Sequence, residues 1–150
     1  MTESEWKVLE EYVAATAQTM GLGAWSITVK RNPSKPGTGA ECGWIYGRSK
    51  GHITVASDFR TDPAEDQRYF IAHELLHLIY ANAWDTVEED LANSEALGKL
   101  AYTMFYESFK RQMEYSIDAT ATALAQFLPL IPWGSDGGAP PVAPTEEPAP

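Results

Sequence analysis

Apolar residues recur near helical spacing through the first stretch of the chain. Trp6, Leu9, Val13 and Met20 predict a helix over residues 2–20. Thr2-x-x-Glu5 supplies a capping box at its start, and Gly21 and Gly23 stop it. The period then falls to two across Ala24-Trp25-Ser26-Ile27-Thr28-Val29, as in a strand with one buried face. Pro33, Pro36, Gly37 and Gly39 make residues 31–39 a loop. Two further strand-like runs follow, Ala40 to Tyr46 and His52 to Ala56, joined by a hairpin through residues 47–51. The expected sheet has three strands, mostly antiparallel, with helices on one face.

The pattern then returns to a helical one. Asp62 is placed to cap a second helix, with Pro63 as its first residue and Glu65 as the reciprocal cap, running to about Ala83. Asp85 and Thr86 can cap a third, through Leu91, Leu97, Tyr102 and Phe105 to Phe109. Met113, Ile117, Ala121, Leu124 and Leu128 continue that stripe, as one long helix or as two with a break. Pro129 and Pro132 end it. Beyond them Gly, Pro, Ala and Glu dominate without periodicity, which predicts a domain over residues 1–132 and a disordered tail over 133–150.

The second helix carries the chemistry. Phe70-Ile71-Ala72-His73-Glu74-Leu75-Leu76-His77-Leu78-Ile79 holds H-E-x-x-H in an otherwise uncharged run. Residues i and i+4 share a helix face, so His73 and His77 can aim one imidazole nitrogen each at a single ion, and imidazole suits zinc. Glu74 sits one residue round from His73, where it can take a proton from an attacking water. The bland alternative is an amphipathic helix whose His and Glu merely face solvent. The segment is apolar on too many sides for that, and buried polar groups need partners.

Catalytic zinc usually takes three protein ligands. His52, the remaining histidine, precedes the motif, and no histidine follows it, which excludes the metzincin arrangement. The carboxylates downstream are Asp85, Glu88, Glu89, Asp90, Glu95, Glu107, Glu114 and Asp118. Asp85 to Asp90 lie where acids serve caps and the helix dipole. Glu95 has Lys99 one turn on, and Glu107 has Arg111 at i+4, as on solvent faces. Glu114 borders the apolar stripe with Asp118 one turn above it, a like-charged pair that calls for a nearby cation. Glu114 is therefore the candidate third ligand, with Asp118 orienting a histidine ring. His52 as a ligand and an unremarkable acidic helix edge are the alternatives.

Composition narrows the setting. The chain has 150 residues, 44% hydrophobic and 21% charged, as in a small globular domain. A formal net charge of −10 argues against nucleic acid and anionic membranes as partners. No run reaches the length of a membrane span, and the acidic N-terminus is unlike a secretory signal. One cysteine, Cys42, allows no internal disulfide and suits a reducing, cytoplasmic setting; a small packed residue is its expected role.

With His73-Glu74-Leu75-Leu76-His77 and then Glu114-x-x-x-Asp118 on a later helix, the sequence resembles the gluzincin peptidases. It resembles in particular the minimal phage- and bacteria-encoded ones related to the ImmA/IrrE type, over roughly residues 24–129. The resemblance implies a zincin-like α+β fold, a Zn2+ cofactor and a peptide or protein substrate. It implies His73, His77 and Glu114 as metal ligands, Asp118 bonded to the first histidine and Glu74 as general base. It also implies that His52–Ala56 is the edge strand binding substrate backbone. An oxyanion donor is implied too, with Tyr102, Tyr106, Tyr115 and His52 as choices. The helix-turn-helix of some relatives is absent from the sequence. The rival from another class is a non-enzymatic, zinc-stabilised interaction module of phage type, which a closed site with four protein ligands would mark.

Overall fold

A computed structural model describes residues 1–33, 37–93 and 98–134. The first helix, α1 (Glu3–Thr19), begins as its sequence predicts: Thr2 and Glu5 cap one another's backbone N–H groups. Its buried face is Trp6, Leu9, Tyr12, Val13, Thr16 and Ala17. The helix ends into Gly21, whose φ of 86° is the left-handed turn that glycine adopts without a Cβ clash.

Three strands follow, β1 (Ser26–Arg31), β2 (Ala40–Trp44) and β3 (Lys50–Val55), in the spatial order β1-β3-β2. β2 and β3 form the expected antiparallel hairpin, with Cys42 opposite Ile53. β1, however, pairs with β3 in parallel, Val29 beside Ile53, so the sheet is mixed rather than mostly antiparallel. The cause is the connection after β1, which carries the chain past the central position before β2 begins. The returning strand β3 then fills the gap and runs alongside β1. β3 is consequently the central strand, and β2 is an edge.

Alternation decides which side chains meet the helices. Val29, Cys42, Ile53 and Val55 belong to the core, which α1 and the next helix cover. His52 points to the other face, over Gly43, where a Cβ would lie 2.7 Å from its ring. Gly51 is needed on the helix side, because a Cβ there would come within 2.9 Å of Leu78.

The motif helix, α2 (Ala64–Ile79), starts without a side-chain cap; Pro63 occupies the cap position, and Asp62 does not fill the expected role. Gln67, inside the helix, donates its amide to the carbonyls of Arg60 (3.0 Å) and Asp62 (2.7 Å), which holds the preceding turn against the helix without capping its N–H groups. One side of α2, with Ile71, Leu75 and Leu78 fully buried, packs into the core with Leu9, Val13 and Phe59. Its other side sets Ala72 and Leu76 against Ile117 and Ala121 of α4 (Lys99–Ala125). Small residues at that contact let the two helices approach closely, as the sequence of α4 implies.

α2 stops at Ile79 rather than near Ala83, and a short helix α3 (Ala81–Asp85) and a wide π-type turn (Thr86–Leu91) follow. Asp85 precedes that turn but makes no side-chain cap to it. Its carboxylate accepts hydrogen bonds from Trp44 Nε1 at 2.7 Å and Gly47 N at 2.9 Å, tying α3 to the β2–β3 hairpin. This long-range anchor is what local sequence does not show. Glu95 and Leu97 lie outside the described residues. α4 is one unbroken helix of 27 residues.

Past α4, Tyr12 OH donates to Pro129 O at 3.0 Å, and Ile131 is buried. Trp133 donates its indole N–H to Gln67 Oε1 at 2.9 Å and stacks with Arg60. The packed chain therefore extends to Trp133, just beyond the expected boundary, and residues 135–150 lie outside the described ones. No helix among the described residues is long and apolar enough to cross a membrane.

Candidate metal centre

One turn of α2 stacks the rings of His73 and His77, with Nε2 facing Nε2 at 3.1 Å. Glu114 reaches in from α4, its Oε2 lying 3.8 Å from His73 Nε2 and 3.6 Å from His77 Nε2. These three residues form a group that can hold a metal ion. The spacing fits: a tetrahedral ion with bonds of about 2.1 Å keeps its donors about 3.4 Å apart. Two imidazole nitrogens so close to one another need a proton or a cation between them. Burial, and then the neighbouring His73, lower the His77 pKa to about 4, so His77 offers a lone pair rather than a charge.

Asp118 lies one turn beyond Glu114 on α4. Its Oδ1 is 3.1 Å from His73 Nδ1 and accepts the Tyr69 hydroxyl at 2.8 Å. With Nε2 turned toward the other donors, Nδ1 carries the proton that Asp118 accepts, which fixes the tautomer and the ring plane. Tyr69 is a residue that the motif does not announce. Its only signal is position, one turn before His73 on the same face. Burial, followed by the bond to Asp118, pushes its pKa to about 12.

Glu74 turns away from the donors toward β2 and is 7% exposed. Burial pushes its carboxyl up to about 7; Glu114 and Glu41 add to this, while hydrogen bonds from the thiol and backbone of Cys42 oppose it. Burial and Glu74 in turn raise the Cys42 pKa, so the thiol stays protonated and can donate. Cys42 is thus packed in its strand as expected, but it also touches the candidate base. Only the pairing of β2 with the helix-facing side of the sheet brings it there.

His73, His77, Glu114, Glu74 and Cys42 line a cleft of about 500 Å³ between β2, α2 and α4. Its edge strand is β2, contributing Ala40, Cys42 and Trp44, and not the His52–Ala56 segment, which lies in the sheet centre. His52 is therefore neither ligand nor cleft residue; the alternation of β3 sends it to the far face. Of the three tyrosines, Tyr106 lines the cleft and donates to Glu88 Oε1 at 2.6 Å. Tyr102 is not part of the cleft wall and stacks on Tyr106 with ring centres 5.9 Å apart. Tyr115 is 63% exposed and outside the cleft. Asp85, Glu88 and Asp90 are engaged with Trp44, Tyr106 and Tyr46 rather than with the histidines.

No family model matches this sequence, no curated protein matches it, and no solved structure matches the fold.

Proposed function

We propose that the chain is a zinc-dependent peptidase of minimal gluzincin type. The observation that carries the reading is the His73–His77–Glu114 donor triangle with a buried carboxylate, Glu74, beside it on the wall of an open cleft. Two neutral imidazoles and one carboxylate suit a divalent ion of borderline softness. When bound, such an ion supplies Lewis acidity and lowers the pKa of water toward about 7.

The chain's own residues account for the remaining steps. Asp118, braced by Tyr69, holds the His73 ring in place. Glu74 takes a proton from the attacking water and returns it to the leaving amine. Among the described residues β2 is the edge strand of the sheet along the cleft, where an extended peptide can lie beside it.

A closed structural site would need a fourth protein donor, whereas among the described residues the group has three. That favours the enzyme over a zinc-stabilised interaction module. The test is zinc content by native mass spectrometry alongside hydrolysis of a casein-type substrate. One ion per chain, lost in Glu114→Ala, with hydrolysis abolished in Glu74→Gln, supports the reading. Hydrolysis unchanged in Glu74→Gln rejects it.

A further inference from the structure

The ladder between β2 and β3 decides which way the backbone of Cys42 points. Ile45 N donates to Lys50 O and Ala56 N to Gly39 O, each at 2.9 Å, and the register between them sets Cys42 opposite Ile53. Bonded and non-bonded pairs alternate along an antiparallel ladder, so the bonds to β3 fall on Gly39, Glu41, Gly43 and Ile45. Cys42 lies between them. Its N–H therefore points away from β3, toward the outer side of the strand, while its side chain packs on the helix-facing side of the sheet.

Glu74 of α2 meets Cys42 there, and both line the cleft that holds the His73–His77–Glu114 group. The Glu74 carboxylate accepts hydrogen bonds from the Cys42 thiol and from its backbone N–H. Burial and Glu74 keep the thiol protonated and able to donate. The surroundings make these donors necessary. Glu74 is only 7% exposed, so bulk water does not solvate its charge, and Glu114 and Glu41 act on it as like charges. A carboxylate in that setting keeps one orientation only where donors hold it.

We infer that Cys42 is a positioning residue for the hydrolysis, its thiol and backbone N–H together fixing the direction of the Glu74 carboxylate in the cleft. The inference rests on the peptidase reading and adds to it a residue that acts through the base. Cys42 stands outside the donor group, so its effect falls on the base and not on metal binding. The N–H belongs to the strand and survives a change of side chain; the thiol is the part that the sequence chooses. Its removal takes one donor of two. A loss of about tenfold in kcat is expected, a part of the roughly 100–10,000-fold that a positioned acid–base group contributes.

The test compares three variants of the full, zinc-loaded chain on one casein-derived peptide. Cys42→Ala and Cys42→Val both remove the donor, the first leaving space and the second filling it, whereas Cys42→Ser keeps a hydroxyl donor. The first two should lose about tenfold in kcat with KM and zinc content retained, and Cys42→Ser should recover most of that loss. Loss of zinc, a change in KM alone, Cys42→Val retaining kcat, or Cys42→Ser falling as far as Cys42→Ala would each overturn the inference. A second readout needs no activity. Cys42 is the one cysteine of the chain, so its S–H stretch is a single infrared band, which donation to an acceptor lowers in frequency. In metal-free Glu74→Leu the band should rise relative to the metal-free unsubstituted protein, and an unmoved band overturns the contact. Absence of hydrolysis from every protein, the unsubstituted one included, overturns the peptidase reading and the inference together. Hydrolysis with equal kcat in Cys42→Ala overturns the inference alone.

Discussion

His73 and Asp118 meet through Nδ1 and Oδ1 at 3.1 Å, joining the motif helix to the long C-terminal helix behind the candidate metal centre. The contact sets which nitrogen of His73 faces the other donors. Asp118→Asn keeps the shape and removes the charge that favours an Nδ1 proton. Metal affinity should fall about 10–100-fold, as for lost partners of ligating histidines elsewhere. Competition with a chelator measures this. Tyr69→Phe, which removes only the brace on Asp118, should cost less.

Metal removal should destabilise the fold, because the donors come from two helices that a bound ion would join. At free zinc about 1,000 times its dissociation constant, the stabilisation is about 4 kcal/mol. Thermal melts with zinc and with chelator should differ for the unsubstituted protein and converge for Glu114→Ala. Equal melts with and without zinc in the unsubstituted chain would count against a site in the folded state.

Leu75 sits between the two histidine turns of α2 and is fully buried. Leu75→Ala removes core contacts on the side away from the metal centre and should cost about 2–5 kcal/mol in denaturant unfolding. A loss below 1 kcal/mol would mean that α2 is not packed as described.

His52 provides a pH signature of the far face of the sheet. Burial, and then Lys30 on β1, lower its pKa from the usual 6.5, while Glu41 on β2 acts the other way. A histidine depressed in the folded state stays neutral there. Its contribution to stability is present above pH 6.5 and is lost as pH falls from 6.5 through the folded value. His52→Gln, which does not titrate, should therefore lose less stability between pH 7.5 and pH 5 than the unsubstituted protein. Denaturant midpoints at the two pH values measure the difference.

Much of this arrangement is legible from local pattern. The capping box of Thr2 and Glu5, the H-E-x-x-H spacing and the position of Glu114 beneath Asp118 are short-range features, and each appears in the structure. Long-range placement is less legible. The order of strands depends on where the connection after Arg31 carries the chain, which moves the cleft edge from His52–Ala56 to Ala40–Trp44. Nothing in the spacing of Asp85 announces that its carboxylate will bind Trp44 and Gly47 across the fold. Tyr69 and Cys42 become part of the site only because a helix face and a strand face come together there.

If Glu74 is the base beside a bound metal ion, its loss must separate metal binding from hydrolysis in one paired measurement. Zinc content and peptide hydrolysis are measured on the same preparations of the unsubstituted and Glu74→Gln proteins. One zinc per chain is expected in both and hydrolysis in the first alone. Equal hydrolysis by the two metal-loaded proteins would contradict that role.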